Sequence, residues 1–209
     1  MKVNKRYEGV SIIALVGPIA AGKGIAAELL VEQGYAAFNY GDVIYQERTA
    51  RGLKEKREIS NAVGADLRLK FGNDIIARRI ACAINCFIDQ EHGQKIVIDG
   101  LRHPDEVLWV KKNLGARVIG VTADPEIRYA RTLKRNRIVD PTSPEAFMQV
   151  DKGDRGIGSE RHENQSDLCI LRADIVIEND GDDLQVYKEK IYAALQKLGL
   201  QETSKKLRD

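Results

Sequence analysis

Ser11-Ile12-Ile13-Ala14-Leu15-Val16 runs directly into Gly17-Pro18-Ile19-Ala20-Ala21-Gly22-Lys23-Gly24, an apolar β-branched stretch followed by a glycine-rich turn. Ile25, Ala26, Leu29 and Leu30 then recur at helical spacing, and Gly34 stands where a C-terminal cap belongs. A strand, a turn with the frame G-x-x-x-x-G-K and an amphipathic helix together make an anion-binding unit. Successive backbone N–H groups and the positive end of the helix converge on phosphate oxygens. The candidate phosphate-facing positions are Gly17, Ala20, Ala21, Gly22, Lys23, Gly24 and Ile25, with Lys23 reaching the terminal phosphates.

Four more apolar runs are spaced as strands: Ala36 to Asn39, Lys95 to Asp99, Arg117 to Ala123, and Asp174 to Glu178. Helical stretches separate them. Ile75, Ile76, Ile80, Ala83, Ile84 and Phe87 form one long apolar stripe, and Asp182 with Gln185 reads as a capping box before a helix ending near Leu198. The alternation predicts an α/β fold: a five-stranded parallel sheet with right-handed crossovers and helices on both faces. Ligands in such folds sit at the carboxyl ends of the strands. Gly17, Gly41, Asp42, Asp99 and Arg102 all fall there.

Composition narrows the class. In 209 residues, 33 basic side chains balance 31 acidic ones, so no overall field marks a nucleic-acid or membrane binder, and the expected partner is a small molecule. One domain over residues 1–200 with a flexible tail over 201–209 is expected. The basic start, Met1 to Arg6, precedes an apolar run too short for a secretory signal, and an odd count of three cysteines argues for reduced thiols in a cytoplasmic setting. Cys82 and Cys86, four apart, read as buried small hydrophobes rather than metal ligands, since Cys169, His92, His103 and His162 are too scattered to complete a site. Lys134 to Gln165, rich in arginine and glycine, reads as a mobile insertion.

Ile96-Val97-Ile98-Asp99-Gly100 is an apolar strand ending in a carboxylate, which would orient magnesium beside a phosphate chain directly or through water. Gly24 occupies the position where such loops usually carry a Ser or Thr hydroxyl for that metal. Magnesium would then rest mainly on waters, phosphates and carboxylates, ligands that it favours.

These motifs resemble the P-loop nucleoside monophosphate kinase superfamily over roughly Ile12 to Asn179. Tyr40-Gly41-Asp42-Val43-Ile44 looks like the Ser-x-Gly-Asp segment that opens the acceptor region of adenylate kinases, and Asp99-Gly100-Leu101-Arg102 is similar to their Asp-Gly-Phe-Pro-Arg. Arg128 to Arg135 is similar to the stretch whose two arginines, here Arg131 and Arg135, hold ATP and the transferring phosphoryl group. Ala173 to Asn179 looks like the C-terminal strand of dephospho-CoA kinases. Tyr45 stands where adenylate kinases carry an AMP-binding arginine, and Arg48 or Arg68 could replace it.

The resemblance implies an ATP-dependent, magnesium-using kinase with a lid at about 137–172. Lys23, Arg131 and Arg135 would be catalytic, Asp42, Arg68 and Arg102 would hold the acceptor, and Asp99 would hold the metal. Arg155 or Arg161 would supply further lid charge. The implied acceptor is a nucleoside or deoxynucleoside monophosphate. Two alternatives stay open: a dephospho-CoA kinase-like enzyme that phosphorylates a sugar hydroxyl with Asp42 as base, and an ATP-binding switch with slow ATPase activity. His103 reads as a solvated loop residue, and Trp109, Val110 and Leu114 as core.

Overall fold

The computed structural model describes residues 5–91, 93–135, 137 and 140–200. His92, the start of the basic leader, two residues of the expected lid (138 and 139) and the tail at 201–209 lie outside them.

The chain alternates strand and helix as β1 (Ser11–Val16), α1 (Lys23–Glu32), β2 (Ala36–Asn39), α2 (Tyr40–Ala50), α3 (Arg57–Phe71), α4 (Ile75–Glu91), β3 (Lys95–Leu101), α5 (Pro104–Leu114), β4 (Arg117–Thr122), α6 (Pro125–Arg135), α7 (Pro144–Arg155), α8 (Ser166–Ile170), β5 (Ile175–Glu178) and α9 (Leu184–Lys197). The strands form one parallel sheet in the order β2-β3-β1-β4-β5. β1 lies at its centre and is apolar from Ile12 to Val16 because both its faces are covered. Ile12, Ala14 and Val16 join the core beneath α2, α3, α4 and α5, while Ile13 and Leu15 join the core beneath α1 and α9.

β3 runs two residues past the Asp99 expected from sequence, through a bulge. Leu15 pairs with Asp99 but Val16 pairs with Leu101, and Gly100 between them sits at φ +87°. The extra residue lets Leu101 return to the same core as Ile96 and Ile98, which strict alternation would forbid. α1 ends in a Schellman motif: Gly34, at φ +85°, donates to Val31 and Tyr35 donates to Leu30.

Several expectations are corrected. Cys82 and Cys86 are exposed, because Ile76, Ile80 and Ile84 face the sheet and positions two residues further on point to the other side of α4; Ala83 is exposed as well. α9 is capped by Asp183, whose carboxylate accepts from the backbone N–H groups of Gln185 and Val186, one residue later than the Asp182 reading. The stretch expected as a lid insertion contains the helices α7 and α8. α7 is capped by Ser143 and closed by Gly156, and it buries Phe147. Among the described residues, no helix is long and apolar enough to cross a membrane.

Candidate active site

The turn after β1 curls over the carboxyl edge of the sheet. Gly17 has no room for a side chain, since a Cβ there would lie 2.1 Å from the Val121 carbonyl oxygen. Gly22, at φ +117°, would drive a Cβ to 2.4 Å from Asn179 Nδ2. Ala20 adopts φ 58°, the left-handed region that a non-glycine residue rarely occupies and that tends to persist at functional sites. α1 starts at Lys23 with no side-chain cap and no acidic residue in its first turn, so its positive end is left for an external anion.

Two side chains from the far end of the chain hold this loop. Asn179, after β5, donates from Nδ2 to the Ala21 carbonyl at 2.9 Å, and the Tyr187 hydroxyl of α9 donates to the Gly22 carbonyl at 3.1 Å. These two bonds fix the Ala21 and Gly22 carbonyls in the loop. From the other side, buried Arg128 grips Asp151 of α7 with both terminal nitrogens and reaches the Ile19 carbonyl at 3.3 Å.

Beside the loop lies a cleft of about 1240 Å³ whose walls include Gly22, Lys23, Asp99, Arg102, Arg131 and Arg135. The Lys23 ammonium donates to the Gly17 and Pro18 carbonyls at 2.7 and 2.8 Å. Burial, with Arg102 adding to it, lowers its pKa to about 8. Asp99, on β3, lines the same cleft. Burial raises its pKa against the pull of Lys23, its Oδ2 has a long contact with Asn39 Nδ2 at 3.5 Å, and its Oδ1 is buried without a partner among the described residues. Arg131 donates from Nη2 to the Gly181 carbonyl at 2.8 Å and keeps a buried Nη1 that has no partner among the described residues. Arg135 grasps Asp140, and so does Arg57 of α3.

A second, smaller pocket of about 230 Å³ opens between α2 and α3. Tyr40, Gly41, Arg57 and Arg102 line both spaces, so the two communicate along a shared wall. Arg102 is held there by Asp154, with its guanidinium 5.5 Å from the Tyr40 ring centre.

The structure thus gathers Lys23, Asp99, Arg102, Arg131 and Arg135, together with Ala20, Gly22, Gly24 and Ile25, around one cleft. It does not bring all the expected residues there. Gly17 lies against β4 and Ala21 is buried in the core, so these two shape the loop from behind. Asp42 is exposed on the first turn of α2 and lines neither space, because the helix turns its carboxylate away as soon as Tyr40 points inward. Arg68 is 1% exposed, paired with Glu106 at 2.9 Å and donating to the Tyr40 hydroxyl at 3.3 Å; it supports the pocket floor and does not line it. Arg155 pairs with Asp167, and the Arg161 side chain is exposed.

His103, expected to be solvated, is 2% exposed and caps α5. Its Nδ1 accepts from the Asp105 N–H at 3.1 Å and its Nε2 donates to the Arg161 carbonyl at 2.7 Å. Burial lowers its pKa, so it stays neutral and structural. Asn179, Tyr187, Arg57 and Asp140 escaped the sequence reading. Asn179 alone has a local signal, at the end of the last strand of a sheet whose carboxyl edge is where ligands sit.

A family model described as an AAA domain matches residues 13–143. A UPF0200 protein of Methanosarcina barkeri is 34% identical over 80% of this chain and 93% of its own length. The chain belongs to the AAA-domain family and to the UPF0200 proteins. A UPF0200/UPF0201 protein of Archaeoglobus fulgidus is 33% identical over 90% of this chain, yet the match spans only 56% of that longer protein. Among solved structures, shikimate kinase from Acinetobacter baumannii in complex with shikimate superposes with a TM-score of 0.55 at 17% identity, covering 94% of this UPF0200 chain and 99% of the kinase. At that identity the likeness speaks for the fold, a single-domain P-loop kinase fold.

Proposed function

We propose that this UPF0200 chain is an ATP-dependent phosphotransferase that moves the γ-phosphate to a nucleoside or deoxynucleoside monophosphate. The observation that carries the reading is the shared wall. A phosphate-binding loop with Lys23 stands in one space, a second pocket opens off it, and Arg57 and Arg102 line the junction where a phosphoryl group would pass. A nucleotide switch needs the first space but has no use for the second.

In this reading the loop N–H groups, the α1 N-terminus and Lys23 hold the phosphate chain of ATP, and Arg131 and Arg135 meet the charge that spreads over the moving group. Arg57 and Arg102 orient the acceptor phosphate. Its oxygen forms the new bond to the γ-phosphorus while the bond to the β,γ-bridging oxygen breaks and ADP leaves. That acceptor oxygen is already anionic near neutral pH, with a second phosphate pKa of about 6. No general base is required, which accords with Asp42 lying outside both spaces. The donor set fits magnesium held by one carboxylate: Asp99 offers a buried oxygen without a partner among the described residues, Gly24 offers no hydroxyl, and water and phosphate oxygens complete the shell. When bound, the ion would neutralise part of the phosphate charge. A small-molecule acceptor, no nucleic-acid or membrane partner, and a cytoplasmic setting that keeps exposed Cys82 and Cys86 reduced complete the proposal.

The test is a set of acceptors incubated with the γ-labelled ATP–magnesium complex, scoring label transfer. Label on nucleoside monophosphates supports the reading. Transfer to sugar hydroxyls alone would favour the dephospho-CoA kinase-like alternative, and release of free phosphate with no labelled acceptor would favour the switch.

A further inference from the structure

The side pocket contains one group that phosphoryl transfer leaves unexplained. Arg48 of α2 lines it, is 6% exposed, and holds its guanidinium 5.5 Å from the Tyr45 ring centre. Its contacts are long, 3.5 Å from Nη1 to Ser60 Oγ and 3.8 Å from Nη2 to Glu55, and its Nε has no partner among the described residues. The other two arginines of the pocket differ: Arg57 has Asp140 at 2.8 Å and Arg102 has Asp154. A buried donor left unsatisfied is costly, so this end of the pocket is shaped for a ligand that brings acceptors.

A guanidinium only donates, and it does so as a planar fork that suits two adjacent acceptors. Among purine bases, the O6 and N7 edge of a 6-oxopurine matches that fork. Adenine sets its N6 amino donor where O6 would be, donor against donor. Glu55 and Asn61 line the same pocket and can accept from the N–H groups on the far edge of such a base.

We infer that Arg48 determines base specificity, and that the acceptor is the monophosphate of a 6-oxopurine nucleoside, guanine or hypoxanthine, in preference to adenine. The inference rests on the phosphotransferase reading above, with the acceptor phosphate at Arg57 and Arg102 and the base in the side pocket.

The experiment separates binding from transfer. Calorimetric titration of the full chain with GMP, IMP and AMP, without ATP, is expected to show GMP and IMP binding about 10- to 100-fold more tightly than AMP, the discrimination typical of a bidentate base contact. Arg48→Gln offers one donor and one acceptor, the match for adenine N6 and N7, so the preference should turn towards AMP. Arg48→Lys keeps the charge without the fork and should lose the preference; it serves if the glutamine variant does not fold. Equal or tighter AMP binding in the parent overturns the inference, as does a GMP-to-AMP ratio unchanged in the variants. So does failure of every monophosphate to bind while a compact carboxylate such as shikimate binds at Arg48. Transfer assays on the same samples report on the other reading separately: GMP that binds without accepting phosphate overturns the phosphotransferase proposal and leaves the base preference standing.

Discussion

Asn179 Nδ2 lies 2.9 Å from the carbonyl oxygen of Ala21, joining residues 158 positions apart. The last strand of the sheet thereby fixes the orientation of a peptide in the phosphate-binding loop. Asn179 is 5% exposed, and its neighbour Tyr187 makes the matching bond to Gly22.

Asn179→Ala should therefore loosen the loop more than the fold. A lost hydrogen bond of this kind is worth about 1 kcal/mol, so ATP affinity should fall roughly 5- to 10-fold. Tyr187→Phe should act in the same direction, and the pair should be less than additive because both bonds hold one loop. Affinity is read by titration and stability by chemical unfolding. A loss of stability with unchanged affinity would make these residues mere packing.

Lys23 supplies a pH test. Its folded pKa of about 8 lies below its ordinary value because the ammonium is buried beside Arg102. Phosphates at Nζ favour the charged form, so the bound state holds its proton to higher pH than the free state does. Above pH 8 binding must take up a proton, and affinity should fall as pH rises, by up to about tenfold per unit. Titration at about pH 9 in buffers of different ionisation enthalpy measures the uptake. Lys23→Ala should abolish it and lower transfer by roughly 10² to 10³ while the protein stays folded. No uptake in the parent would contradict the assignment.

Arg68 and Glu106 are both fully buried, 2.9 Å apart at Nε and Oε1. Glu106→Gln leaves the guanidinium unpaired and should cost on the order of 3–5 kcal/mol of unfolding free energy. Arg68→Met combined with Glu106→Gln removes both charges while a side-chain oxygen can still accept from the Arg102 and His103 N–H groups, and should cost much less. Urea unfolding decides. Equal costs for the single and double changes would mean that the ion pair is not the strained element.

Asp140, its side chain 3% exposed, stands between Arg57 and Arg135. Asp140→Ala leaves two like charges without their common partner and creates an anion site. Inorganic phosphate should then raise the melting temperature of the variant more than that of the parent, and high salt should shrink the difference. An identical response in both proteins would show that the arginines find other partners.

The sequence alone determined most of the architecture. Apolar β-branched runs bounded by turn residues located all five strands to within two residues at each end, because a sheet buried on both faces demands such runs. The G-x-x-x-x-G-K frame located the loop, since glycine at Gly17 and Gly22 answers a steric need that no other side chain meets. Local pattern could not say which polar groups face the cleft. Asp42 and Arg68 have the right chemistry, but α2 turns one outward and Glu106 draws the other beneath the floor. Asn179, Tyr187 and Asp140 act through contacts across 5 to 165 positions, and Arg48 is set apart by burial with an Nε that has no partner among the described residues. Those are properties of three-dimensional packing, where burial and pairing decide what a charge can do, and only the tertiary structure supplies them.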